Sequence, residues 1–130
     1  MIPIAAPPPW AARVLVVEDD LEMRSLLVDL LVGEGCSVQE VSDGQEAIRL
    51  LHQDAADYDL VITDLRMPGV DGLDLAGAVD THPPAVVLIS AFVDGDVARR
   101  AASSGVSAVL AKPFSIHRLL GVVRALIGPL

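Results

Sequence analysis

From Arg13 onward, short apolar runs alternate with amphipathic segments, and their two periods separate strands from helices. Arg13 to Val17 reads as a strand. Leu21 to Glu34 has helical spacing in Met23, Leu26, Leu27, Leu30 and Leu31, and Gly35 can end it by entering the left-handed region. Ser37 to Val41 alternates as a second strand, and Asp43 to Gln53 is a helix with Ala47, Ile48, Leu50 and Leu51 apolar. Leu60 to Thr63 is a third strand entering Asp64, and Gly72 to Asp80 a short helix. The strand Ala85 to Ile89 precedes an alanine-rich helix, Asp94 to Ser104, stopped at Gly105. Val106 to Ala111 is the fifth strand. Ser115 to Ile127 closes the pattern, with Ile116, Leu119, Leu120, Val123 and Leu126 on its inner side and Gly121 weakening its interior by about 1 kcal/mol.

Strands alternating with helices through short loops predict a doubly wound α/β domain with a parallel sheet. Its central strands are continuously apolar, as expected where helices cover both faces. Ligands in such folds bind beyond the carboxyl ends of the strands. There the first strand delivers Glu18, Asp19 and Asp20, the third Asp64, the fourth Ser90 and the fifth Lys112-Pro113.

Composition narrows the picture. At 130 residues and 52% hydrophobic the chain suits one packed domain, with an aliphatic core because aromatics make up only 3%. The domain is expected over 13–130, and residues 1–12, with Pro3 and Pro7-Pro8-Pro9, as a flexible or polyproline-like extension carrying Trp10. A net charge of -9 with a single lysine argues against a nucleic-acid surface. Cys36 is the only cysteine, which excludes an internal disulfide, and its place at the start of an apolar alternation marks a buried thiol. The opening residues have no basic start and are broken by prolines, so neither a signal peptide nor a membrane span is expected and the cytoplasm is the expected location.

Carboxylates converging at strand ends repel unless a cation or proton compensates them. An oxygen-rich site suits Mg²⁺, which keeps several waters and contacts phosphate, and Mn²⁺ would fit the same donors. Asp19 and Asp64 are the strongest metal ligands, with Glu18 direct or through water and Asp20 capping the first helix. Lys112 follows an apolar strand, so its charge needs the acidic partners nearby. Asp64 as nucleophile, with Lys112 and Ser90 stabilising charge on transferred oxygens, makes a set fit for phosphoryl transfer onto a carboxylate.

VLVVEDD (Val14 to Asp20), VITDLRMPGVDG (Val61 to Gly72), LISA (Leu88 to Ala91) and AKPF (Ala111 to Phe114) together resemble a response-regulator receiver domain of two-component signalling, of the chemotaxis-regulator kind. The resemblance spans Arg13 to Ile127. It implies the flavodoxin-like strand order 2-1-3-4-5 and phosphoryl transfer to Asp64 from a sensor histidine kinase or a histidine phosphotransfer protein. It also implies metal binding by Glu18, Asp19, Asp64 and the backbone carbonyl of Arg66, a switch hydroxyl at Ser90, and a cis peptide at Lys112-Pro113. Met67-Pro68-Gly69 and Gly72 shape the loop after Asp64.

Two departures bear on mechanism. Val109 stands where many receivers carry a switching aromatic, leaving Ser90 and the following loop to carry more of the signal. Arg66 and Phe92 occupy the positions thought to tune phosphate loss, and neither can orient an attacking water as a carboxamide or carboxylate would, so slow self-dephosphorylation is expected.

A downstream protein or a homodimer is expected on the face formed by Asp94–Ser104, Val106–Ala111 and Ser115–Ile127, where Arg99, Arg100, His117, Arg118 and Arg124 add positive charge; a solvated salt-bridge face is the plainer alternative. His52, His82 and His117 have no paired metal-ligand spacing. Such a chain would catalyse its own modification rather than turn over a small molecule. Two alternatives stay open: an interaction module that never uses phosphorylation, and a metal-dependent phosphohydrolase. The phosphohydrolase is weakened by Arg66, where a second carboxylate would be wanted, and no glycine-rich nucleotide loop is present.

Overall fold

The computed structural model describes residues 11–54, 57–79 and 83–128; residues 1–10 of the expected extension, Trp10 among them, and His82 lie outside them, while Ala12 packs against the core and its carbonyl accepts from Ser37 N–H at 2.8 Å. The strands are β1 (Arg13–Val17), β2 (Ser37–Val41), β3 (Leu60–Asp64), β4 (Ala85–Ser90) and β5 (Ala108–Ala111). The helices are α1 (Leu21–Gly33), α2 (Gly44–Asp54), α3 (Gly72–Ala78), α4 (Gly95–Ser103) and α5 (Ile116–Ile127). All strand pairs are parallel, in the order β2-β1-β3-β4-β5.

Side chains alternate across the pleat, so each central strand feeds two cores. Val14, Val16, Leu60, Ile62, Val87 and Ile89 pack with Leu27 and Leu31 of α1 and Leu119 and Val123 of α5. Leu15, Val17, Val61 and Val86 face the other way, onto Ala47 and Leu51 of α2 and Leu75 and Ala76 of α3. Leu88 extends that second layer to Leu65, Leu73 and the α4 residues Val97 and Ala101. Each fully buried aliphatic side chain contributes about 1.5–3 kcal/mol, which fixes both helical layers to the sheet.

Predicted and observed elements differ by no more than two residues, and β5 starts at Ala108 rather than Val106. Val106 instead completes the end of α4 by donating to the Ala101 carbonyl at 3.1 Å. Two of the apolar positions that the helical spacing assigned to inner faces are exposed. Ile116, expected on the inner side of α5, is 51% exposed, because the first residue of that helix precedes the turn that meets the sheet. Leu26 is 42% exposed, since α1 docks through Leu27 and Leu31 and its neighbour turns outward. Cys36 is buried as expected, and burial pushes its thiol pKa up.

Helix caps sort the acids at the ligand-binding end. The side chains of Asp20, Asp71 and Asp94 accept from main-chain N–H groups of Met23, Asp74 and Val97, capping α1, α3 and α4. Asp43 does the same for Glu46 at the start of α2, at 2.8 Å. Each such cap is worth about 1 kcal/mol and explains its acid without any ligand. Glu18, Asp19 and Asp64 have no such task.

Candidate phosphoacceptor and metal site

Strand register carries these groups to one edge. Val17 is level with Val41 and Thr63, Asp64 with Ile89, and Ser90 with Ala111. Ladder-like bonds continue past the strand ends: Glu18 N–H donates to Val41 at 3.2 Å, Leu65 N–H to Ile89 at 2.7 Å and Lys112 N–H to Ser90 at 2.8 Å. The residue after each strand is therefore positioned almost as firmly as the strand.

Glu18, Asp19 and Asp64 each present a carboxylate oxygen, and these atoms lie within 4.8 Å of one another. Glu18 is 1% exposed and Asp64 9%, whereas Asp19 is open to solvent. Lys112 Nζ stands 3.5 Å from both Glu18 Oε2 and Asp64 Oδ2. Burial raises the Glu18 pKa, the Asp64 and Asp19 charges push the same way, and the Asp20 N–H bond and Lys112 oppose them. One ammonium contacts two of the three clustered carboxylates, leaving uncompensated negative charge on hard oxygen donors. That donor set fits Mg²⁺. Arg66, two positions beyond Asp64, has an exposed side chain, and its carbonyl accepts no hydrogen bond from the described residues.

The loop after Asp64 depends on glycine. A Cβ at Gly72 would lie 2.5 Å from the Asp64 carbonyl oxygen and 2.6 Å from Leu88 Cδ1. Gly72 N–H closes the loop by donating to Leu65 at 2.8 Å, and Gly69 takes a φ of 76° that side chains disfavour. Beside the carboxylates, a groove of about 590 Å³ is lined by Arg66, Met67, Pro68, Phe92, Val97 and Arg100 among others. None of the three clustered carboxylates lines it.

Ser90 stands at the same edge, with its hydroxyl held by the loop that follows β4. Oγ donates to the Phe92 carbonyl at 2.8 Å and accepts from Phe92 N–H at 3.1 Å, so the loop rather than the carboxylate pocket holds it. The Lys112-Pro113 bond is cis, as expected, and so is Pro83-Pro84. Arg24 is a residue that sequence reasoning passed over: its Nη1 donates to the Glu18 carbonyl at 2.9 Å and its Nε to Glu40 Oε1 at 3.1 Å. An arginine on an amphipathic helix carries no sequence signal that separates this contact from a solvated charge.

The family model of the response regulator receiver domain matches residues 14–124. The chain belongs to that family. It is 41% identical over 115 residues to the transcriptional regulatory protein PdtaR of Mycobacterium tuberculosis, covering 85% of this chain and 54% of that protein. It therefore spans about half the length of that curated relative. A probable chemotaxis protein CheY of Rhizobium etli is 33% identical over 123 residues, covering 91% of this chain and 94% of the other. Among solved structures, a receiver domain protein from Clostridium thermocellum has a TM-score of 0.81 at 28% identity, with 89% of this chain and 94% of that one covered. The Vibrio cholerae chemotaxis protein CheY4 has the same TM-score of 0.81 at 24% identity, covers 89% of this chain and 98% of its own, and supports the fold. Receiver domains of this family take phosphoryl groups from histidine kinases, act on downstream effectors and bind Mg²⁺ at an acidic pocket. Among the described residues of this receiver domain no helix is long and apolar enough to cross a membrane.

Proposed function

We propose that the domain accepts a phosphoryl group onto Asp64 from a phosphohistidine of a kinase or phosphotransfer protein, and that the modified state alters how it binds a downstream protein. The carrying observation is the placement of Asp64 within 4.8 Å of Glu18 and Asp19 and 3.5 Å from Lys112. A carboxylate oxygen of Asp64 attacks phosphorus and the phosphorus–nitrogen bond breaks. The electron pair returns to the donor imidazole, which takes a proton from solvent, and Asp64 is left as an acyl phosphate.

Glu18, Asp19, Asp64 and the Arg66 carbonyl are assigned to hold Mg²⁺, which when bound supplies charge neutralisation for the incoming phosphoryl oxygens. Lys112 needs only a small shift from its midpoint between Glu18 and Asp64 to contact a phosphoryl oxygen. Ser90 must give up its bond to the Phe92 carbonyl to donate there, which couples modification to the exposed loop holding Phe92 and Val93. Half-buried Val109 offers no aromatic to rotate, so this loop is assigned the main part of the output. Leu21, Phe92, Val93 and Ile116 are apolar and exposed at the starts of α1 and α5 and after β4, the same edge as the carboxylates, a surface suited to a donor protein.

The downstream surface is assigned to α4, β5 and α5, where Arg100, His117 and Arg118 are exposed, for a protein partner or a second copy. Arg99 and Arg124 there are paired with Asp96 and Glu34. Neither Arg66 nor Phe92 can orient a hydrolytic water, so the acyl phosphate is expected to outlast seconds, and decay within seconds would contradict this. Beryllofluoride with Mg²⁺ should shift the NMR signals of residues around Asp64 and of Ser90 to Val93. Loss of those shifts on Asp64→Asn supports the assignment; no shift at saturating concentrations favours a module that works without phosphorylation.

A further inference from the structure

We infer that Arg24 is a positioning residue for the metal-binding carboxylates, one whose guanidinium fixes Asp19 by bracing the main chain that leads into it. The inference rests on the metal assignment proposed above. Asp19 is exposed, and among the described residues its side chain forms no hydrogen bond or ion pair. Its direction is therefore set by its backbone. The peptide before it ends in the Glu18 carbonyl, which accepts from Arg24 Nη1 at 2.9 Å. The residue after it, Asp20, has its carbonyl bound by the Arg24 main-chain N–H, also at 2.9 Å. The guanidinium holds the segment on the near side of Asp19, and the first main-chain bond of α1, which any side chain at position 24 would keep, holds the far side.

The guanidinium is itself oriented. Its Nε donates to Glu40 Oε1 at 3.1 Å, and Glu40 sits on β2 level with Val16 of β1. The Arg24 side chain is only 16% exposed, while Glu40 is 47% exposed. A planar fork can serve the carboxylate and the carbonyl together in fixed directions; a lysine ammonium on a flexible stem cannot reproduce both. Glu18 is held at its other groups too, by Val41 through its N–H and by Asp20 N–H and Lys112 through its carboxylate. Removing Arg24 leaves that buried carboxylate in place and frees the peptide that leads to Asp19.

The test is Mg²⁺ titration of the metal-free full chain by calorimetry, with folding checked by circular dichroism. Groups that orient metal ligands typically change affinity by about 10–100-fold. Arg24→Ala should raise the Mg²⁺ Kd by about 10-fold, Arg24→Lys by a smaller factor, and Glu40→Gln by about two-fold, because its amide oxygen still accepts. Labelling by acetyl phosphate in Arg24→Ala should recover most of the unsubstituted rate at saturating Mg²⁺, an effect on the metal requirement rather than on the chemical step. A folded Arg24→Ala that binds Mg²⁺ within two-fold of the unsubstituted chain overturns the inference. Should that variant not fold, Arg24→Lys with unchanged affinity overturns it equally. If the unsubstituted chain itself binds no Mg²⁺ at millimolar concentrations, the metal assignment falls and this inference with it.

Discussion

Two loops meet at the carboxyl edge of the sheet and are built in opposite ways. In the first, Glu18 and Asp20 have both N–H and carbonyl bonded, and the Glu18 carboxylate is buried against Lys112. In the second, after β4, the Ser90 hydroxyl is what ties Phe92 down, and Phe92 and Val93 are 58% and 39% exposed. The first loop holds a geometry. The second can exchange one hydrogen bond for another at small net cost, because a neutral hydrogen bond in water is worth only about 0.5–1.5 kcal/mol. Lys112 joins them, with its ammonium on the carboxylates and its N–H on the Ser90 carbonyl.

The largest effect should come from breaking that joint. Lys112→Ala removes the cation facing Asp64 and should slow labelling by acetyl phosphate about 100-fold, the scale for losing one donor to developing charge; a rate within three-fold would show that the fixed side works without it. Gly72→Ala tests rigidity at the phosphoacceptor. Its Cβ would lie 2.5 Å from the Asp64 carbonyl oxygen, and the forced shift should cost about 1–3 kcal/mol in urea unfolding.

Glu18 provides a test with a definite sign. Burial raises its folded pKa, so the unfolded chain ionises it first. In metal-free protein its ionisation should therefore lower stability as pH rises through the folded pKa, and the penalty should vanish below the unfolded value near 4.5. Glu18→Gln in EDTA should flatten that part of the stability profile; an unchanged slope would mean that Lys112 and Asp20 compensate fully. The smallest stability effect should belong to the exposed loop after β4. Phe92→Ala should change unfolding free energy by about 0.5 kcal/mol or less, while altering the beryllofluoride response of the loop. A loss above 2 kcal/mol would erase the contrast.

The fold and the carboxylates were legible because both follow from contiguous pattern. An apolar run followed by an acid or a lysine reports strand and strand end together, and this placed Glu18, Asp19, Asp64 and Lys112 correctly at one edge. The capping role of Asp20 was readable from its place before a helical repeat. What escaped depends on which of several partners a polar group takes. Where the Ser90 hydroxyl rests without a phosphoryl group is set by the turn at Phe92, a contact that the residue types do not encode. Arg24 reaches back six positions to a main-chain carbonyl, and composition encodes no such contact. Ile116 was misplaced because periodicity fixes the face of a helix but not where along it the sheet begins.

The central claim is that Asp64 is the site of phosphoryl transfer. Incubation of the chain with acetyl phosphate and Mg²⁺, followed by intact-mass and peptide analysis, tests it most directly. A single phosphoryl group is expected on Asp64, absent in Asp64→Asn and absent when EDTA removes the metal. Incorporation that persists in Asp64→Asn, or none in the unsubstituted chain at saturating Mg²⁺, would contradict it.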